Sequence, residues 1–143
     1  MARDLLTGDL FAVPRPAQAL AGSHDFRPVV AGLVGQALHA AVSDRHEIAA
    51  SMSRLAGRDV SKYMLDAYSS GAREEFNLPL WLVPAFEASC QTHALTAWLV
   101  DVRGGRMLIG REALNAELGR LEQLREHAAK RIREVKKQMG ETE

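Results

Sequence analysis

The stretch RDVSKYMLDAYSS, residues 58–70, carries side chains that can hydrogen-bond to a nucleic acid. Arginine and lysine suit phosphates and guanine edges, and serine can contact either base edges or the backbone. A carboxylate among them repels phosphates unless it accepts a hydrogen bond from a cytosine amine or orients a basic neighbour. The candidate DNA-binding residues are Arg58, Ser61, Lys62, Tyr63, Asp66 and Ser69.

These side chains need two packed helices to position them, and the apolar spacing predicts such a pair. A helix over about 45–56 is expected to begin at a capping box formed by Asp44 and Glu47 and to end at Gly57. The next helix, about 61–70, would be the recognition helix. The inward sides are expected to be Ile48, Ala49, Met52 and Leu55 on the first helix and Val60, Met64, Ala67 and Tyr68 on the second. The pattern predicts a helix-turn-helix at about 44–70, in which the small Ala49 permits close approach.

The charge balance argues against a broad basic surface. The 143 residues contain 18 basic and 18 acidic side chains, and residues 44–75 alone contain five basic and six acidic ones. A protein that grips a polyanion over its whole surface is normally basic, so DNA binding would depend on a local patch. The turn is also longer than in the commonest helix-turn-helix pattern. Ordinary helix packing is the alternative interpretation of the same segment.

The polar clusters elsewhere predict neither catalysis nor a cofactor. Cys90 and His93 form a single C-x-x-H, whereas a zinc site needs about four ligands, so no metal is expected. His46 with Glu47, or with Ser43, has no legible third partner, and capping explains these residues better than acid–base work. One cysteine, a proline-containing N-terminus and the lack of a long apolar run favour a cytoplasmic protein that does not enter a membrane.

The remaining pattern predicts an all-α protein with three parts. Residues 1–22 are expected to form a flexible arm, in which DLLTGDLF either docks through Leu5, Leu6, Leu10 and Phe11 or stays loose. Residues 23–110 are expected to form a compact helical domain containing the helix-turn-helix. Trp81 and Trp98 lie among leucines and valines and are expected to fill its core.

Residues 111–143 predict a long charged amphipathic helix. Its apolar residues fit a heptad seam, interrupted by Arg125 and flanked by Leu124: Leu114, Leu118, Leu121, Ala128, Ile132, Val135 and Met139. The seam predicts a homodimer or higher oligomer through a coiled coil, or alternatively a helix that packs back on its own domain. A parallel pairing would set Glu117 against Glu122, so an antiparallel dimer is a third option. The basic 125–137 segment either complements the helix dipole or contacts phosphates.

The segment DRHEIAASMSRLAGRDVSKYMLDAYSSGAREEFNLPLWLVPAF resembles small helix-turn-helix proteins of Mu-like bacteriophages and prophages. The matching elements are an EIAxxMS helix, a VSKxMLDAY helix, a charged ARE loop and an entry into the next helix similar to IPL, over roughly residues 40–90. The resemblance implies a non-enzymatic regulator in a bacterial host that binds double-stranded DNA through Ser61, Lys62 and Asp66. A protein–protein adaptor, bound through the long helix or the N-terminal arm, is the rival hypothesis.

Overall fold

A computed structural model describes residues 13–73 and 75–140, and within them the prediction of an all-α protein is confirmed. The chain divides into two compact units, 1–107 and 108–143. The described residues of the first unit form five α-helices, and a short 3-10 helix, Leu80–Leu82, precedes the fourth: α1 Arg27–Ala40, α2 Arg45–Ala56, α3 Lys62–Tyr68, α4 Val83–Cys90 and α5 Ala94–Val102. The second unit contains the long helix α6, Arg111–Gln138.

Helix α2 begins and ends where its sequence signals predict. The Asp44 side chain accepts from the backbone N–H of Glu47 at 2.9 Å, and the Glu47 side chain accepts from the Asp44 N–H at 3.0 Å. This reciprocal pair satisfies two N–H groups that the helix itself leaves open. Gly57 ends the helix with φ +66, a left-handed conformation that costs glycine little.

The core of the first unit forms where α2 packs on α4 and α3, and where α1 packs on α3 and α5. Its largest fully buried side chains are Phe86, Ile48, Met52, Leu65, Leu82 and Val34. Leu65 therefore fills the deepest position of α3, whereas Met64, predicted to point inward, is only partly buried. Leu55 is 53% exposed, so its predicted place in the core of α2 is wrong.

The tryptophan prediction is wrong for Trp81, which is 60% exposed. Pro79 and Pro84 bracket the 3-10 helix, and within it Leu82 is fully buried and Trp81 is turned outward. With three residues per turn, adjacent side chains of a 3-10 helix point in different directions, so the burial of Leu82 leaves Trp81 facing outward. Trp98 is partly buried and meets Phe26 edge-on, with ring centroids 5.3 Å apart.

A buried carboxylate fixes the start of α5. Glu87, on α4, is 6% exposed, and its side chain accepts from the Thr96 backbone N–H at 2.8 Å and from the Thr96 hydroxyl at 2.6 Å. The first turn of an α-helix has backbone N–H groups without partners inside the helix. Glu87 thus serves α5 as a cap supplied by the preceding helix.

The described part of the N-terminal arm lies along the end of α5. The Ala17 N–H donates to the Val102 carbonyl at 2.9 Å, and Pro16 forms an isolated bridge with Arg103. Gly104 permits this approach, because a Cβ there would come within 2.5 Å of the Pro16 nitrogen. The apolar residues predicted to dock, Leu5, Leu6, Leu10 and Phe11, lie outside the described residues.

Candidate nucleic-acid interface

The turn between α2 and α3 is tied together by one hydroxyl group. The Ser53 Oγ accepts from the Val60 N–H at 2.8 Å and lies within donating distance of the carbonyls of Val60 and Ala49, at 3.0 and 2.8 Å. Val60 is buried, so its backbone groups would lose both partners if the hydroxyl were absent. Ser53 therefore holds the entry to α3 against the last turn of α2.

Ser61, a predicted DNA contact, caps α3. Its side chain accepts from the Met64 N–H at 3.2 Å, as serine does at many helix starts. The seven-residue helix that follows is anchored by Leu65 and Ala67, which are buried. Its outer side carries the predicted residues Lys62, Tyr63 and Asp66, and Ser69 follows at the C-cap.

Asp66 joins two cationic side chains on this surface. It receives Lys62 Nζ at 2.8 Å and Arg45 Nη1 at 2.5 Å, and the same arginine nitrogen lies 3.4 Å from the Ser69 hydroxyl. The hydrogen bonds from Lys62 and then from Arg45 lower the pKa of the Asp66 carboxyl below its usual range. Asp66 therefore orients basic neighbours, one of the two roles in which a carboxylate is compatible with a phosphate-facing surface. The three charges sum to +1.

These ion pairs make a small part of the stability depend on pH. The pKa of Asp66 is lowered in the folded chain, so its ionised carboxylate stabilises the fold. This stabilisation is complete above the ordinary pKa of 3.8 and is lost as the pH falls below that value. The side chain is 34% exposed, so this contribution is expected to be below about 1 kcal/mol. Asp66→Asn should lower Tm by a few degrees near neutral pH, and thermal melts of the two proteins should converge in acid.

Asp59→Asn is the control, since it removes the same charge from an exposed position beside the site. The hydrogen bond from the Arg27 side chain lowers the pKa of Asp25 to about 2. Asp25 is unchanged in all three proteins, so its own effect on the pH dependence of Tm cancels in the comparison. A Tm difference between wild type and Asp66→Asn that persists at low pH would contradict the assigned role.

Tyr63 and Arg58 are exposed members of the predicted set of contacts. Tyr63 is 80% exposed on the first turn of α3. Arg58 lies in the turn, with its guanidinium carbon 5.8 Å from the centroid of the exposed Trp81 ring, within the usual range of a cation–π contact. The interleaving of aromatic and basic residues, which the linear neighbourhood of Trp81 lacks, is thus created by the fold.

Sequence reasoning missed Arg45 and Trp81 as members of this surface. Arg45 lies 21 residues before Asp66, and the fold brings the two together by packing α2 against α3. The available signal was the carboxylate itself, because an acidic residue on a DNA-facing helix needs a cationic partner from elsewhere. Trp81 carries no comparable signal in its apolar surroundings.

The described residues offer little support for other kinds of site. Across 13–73 and 75–140, no three histidine, cysteine or acidic side chains come together as metal ligands. The thiol of Cys90 is buried, and this burial raises its pKa to about 11, which disfavours the reactive thiolate. None of the helices described combines the length and the apolar character that a membrane crossing requires.

Comparison of the chain with protein-family models, with curated proteins and with solved structures finds no match. The function of the surface formed by α2, the turn and α3 therefore depends on the geometry and chemistry of its own residues.

Proposed function

We propose that this protein is a sequence-specific DNA-binding regulator of a phage or prophage, acting without catalysis in the cytoplasm of the bacterial host. The proposed reader is α3, with Arg58 in the preceding turn. The observation that carries this proposal is the division of α3 into a buried anchor and an accessible polar side. Leu65 is fully buried, whereas Tyr63 is 80% exposed and Lys62 lies beside it with its ammonium group oriented by Asp66.

The cluster of Asp66, Lys62 and Arg45 supports this role by restricting where the two cationic groups lie. A lysine or arginine that is free to rotate loses side-chain entropy when it binds a phosphate. Lys62 and Arg45 are already held on opposite oxygens of one carboxylate. Their remaining N–H donors can contact phosphates or base edges, and Arg45, Lys62 and Asp66 together keep a net charge of +1.

The size of α3 limits the affinity that one copy can supply. Seven residues of α-helix span only about 10 Å, enough for a few base contacts. Useful affinity then needs a second half-site or extra phosphate contacts. The basic segment 125–137 has six basic and two acidic residues, a composition that suits phosphate contacts.

The test is selection from a duplex library with a randomised centre, followed by fluorescence anisotropy with the enriched duplex and a scrambled one. We expect the enriched duplex to bind more tightly and the affinity to fall steeply with salt. Replacing both Lys62 and Tyr63 with alanine should weaken binding by roughly tenfold or more, since each contact is worth about 1–3 kcal/mol. The slope of log affinity against log salt concentration should also become shallower, by about the amount expected for one phosphate contact.

Arg106→Ala is the matched control, because it removes one positive charge from an exposed position after α5. It should leave the preference for the enriched duplex unchanged. Selection that enriches no sequence, or equal binding by wild type and the Lys62/Tyr63 double variant, would refute α3 as the reader.

A protein–protein adaptor remains a second candidate, and one specific observation favours it. No residue of α6 is buried, and its apolar seam lies open along the helix. An adaptor would retain its partner when Lys62 and Tyr63 are replaced, whereas a DNA reader would lose its duplex.

A further inference from the structure

The second unit is a helix whose apolar side has no cover. The exposed fractions of its large seam residues run from 41% for Val135 to 73% for Leu114: Leu114, Leu118, Leu121, Ile132, Val135 and Met139. These residues follow the alternating three- and four-residue spacing of a coiled coil over about four heptads. Exposed apolar surface of this extent and regularity marks a site of protein association.

We propose that the occupant of this seam is α6 of a second copy of the chain, running antiparallel in one defined register. In this register the residue numbers of facing seam positions add up to 253. Leu114 faces Met139 of the second copy, Leu118 faces Val135, and Leu121 faces Ile132. Every large apolar seam residue then meets a large apolar residue, and the helices overlap over the whole seam.

The central positions favour this register over a parallel one. Arg125 occupies a seam position, and a parallel in-register dimer would set it against Arg125 of the second copy, two like charges in the interface. The antiparallel register sets each Arg125 against Ala128 instead. The small side chain leaves room for the arginine stem, and the guanidinium reaches solvent at the edge.

The charges beside the seam point to the same orientation. Glu117 and Glu122 lie in the first half of α6, and Arg131 and Lys136 lie at the corresponding flanking positions of the second half. An antiparallel pairing brings Glu117 to the edge shared with Arg131 of the second copy, and Glu122 to the edge shared with Lys136. By symmetry this produces four attractive pairs, whereas the parallel pairing sets carboxylate near carboxylate and cation near cation.

The ion pairs within a single copy of α6 do not compete strongly with the proposed pairs between two copies. Glu117 pairs with Arg120 at 2.7 Å and Arg131 with Glu134 at 3.3 Å, each within one helix turn. All four side chains are more than half exposed, and exposed pairs of this kind are weak. The complementary halves of α6 make a second copy a better fit than a helix of uniform charge.

The first experiment measures the mass of the full-length protein by light scattering over a concentration series. We expect a dimer. Leu118→Asp should weaken self-association at least about tenfold, because it places a charge in the seam at a position that is 56% exposed in one chain. Gln123→Asp, on the outer side of the same helix, is the control and should remain dimeric. A monomer at all concentrations, or a dimer unaffected by Leu118→Asp, would overturn the proposal.

The second experiment determines orientation through charge. Replacing Glu117 and Glu122 with lysine should weaken the dimer by roughly tenfold, since all four attractive pairs become repulsive. Adding Arg131→Glu and Lys136→Glu to the same chain should restore it. A parallel dimer would respond to neither change, because its facing residues stay alike in both variants.

The third experiment tests the register by oxidation with diamide. Leu114→Cys mixed with Met139→Cys should give a cross-linked dimer containing one chain of each, and neither variant should cross-link with itself. Wild type is the control for the buried Cys90. Self-cross-linking of each variant would establish a parallel dimer and refute the antiparallel one. None of these results depends on DNA, so this inference and the proposed function fail separately.

Discussion

Leu65→Ala is expected to lower the free energy of unfolding by about 2–5 kcal/mol. The leucine is fully buried and belongs to the core that α3 shares with α2 and α4. Its loss removes the transfer free energy of the side chain and leaves a cavity that a seven-residue helix cannot close by moving as a whole. Because a domain of this size has a total stability of only about 5–15 kcal/mol, chemical denaturation should detect the change readily.

The same substitution should lower the temperature above which DNA binding is lost, in step with the lower Tm, although Leu65 faces away from the proposed contacts. Tyr63→Ala is the matched control from the same helix. Tyr63 is 80% exposed, so this change should alter stability by less than about 0.5 kcal/mol while it weakens DNA binding. A Leu65→Ala protein as stable as wild type would show that α3 is not anchored through this side chain.

Glu87→Ala is expected to cost about 1–3 kcal/mol of stability, with the loss concentrated at the start of α5. The substitution leaves the N–H and the hydroxyl of Thr96 without their acceptor, at 2.8 and 2.6 Å in the native chain. It also removes a negative charge from a helix N-terminus, where the macrodipole favours one. Exchange of backbone amide hydrogens should therefore become faster first in α5. Chemical denaturation should give the total loss in the free energy of unfolding.

Glu87→Gln distinguishes the contribution of the negative charge from that of the hydrogen bonds. Its amide oxygen can accept from the Thr96 N–H, and its amide nitrogen can donate to the Thr96 hydroxyl, so both contacts survive without the charge. We expect this variant to lose less than half of what Glu87→Ala loses. Equal losses in the two variants would contradict the capping role and assign the effect to the charge alone.

The local features of the fold were predictable because they depend on residues close together in sequence. The capping box joins Asp44 to Glu47, three positions apart, and Gly57 ends α2 through its own backbone. The length of α6 follows from a periodic apolar pattern, interrupted at Arg125, between Gly110 and Gly140. Such signals operate within one or two turns of helix and need no knowledge of packing.

The errors arose where packing between distant segments decides the outcome. Helical periodicity places Met64 and Leu65 on adjacent positions of a short helix, and only the packing of α3 against α2 and α1 determines that Leu65 goes deepest. Trp81 has an apolar neighbourhood, yet the single 3-10 turn gives the core position to Leu82. The Arg45–Asp66 pair, 21 residues apart, likewise depends on tertiary contact.

The outward position of Trp81 gives the protein an intrinsic optical probe at the candidate site. An indole that is 60% exposed emits at longer wavelength than one in a core and is open to collisional quenching by iodide or acrylamide. Arg58 lies over its ring, so a ligand that draws the guanidinium away changes the surroundings of the indole directly. Tryptophan emission can therefore report occupancy of the turn before α3 without an attached dye, and Trp81→Phe leaves Trp98 as the internal reference.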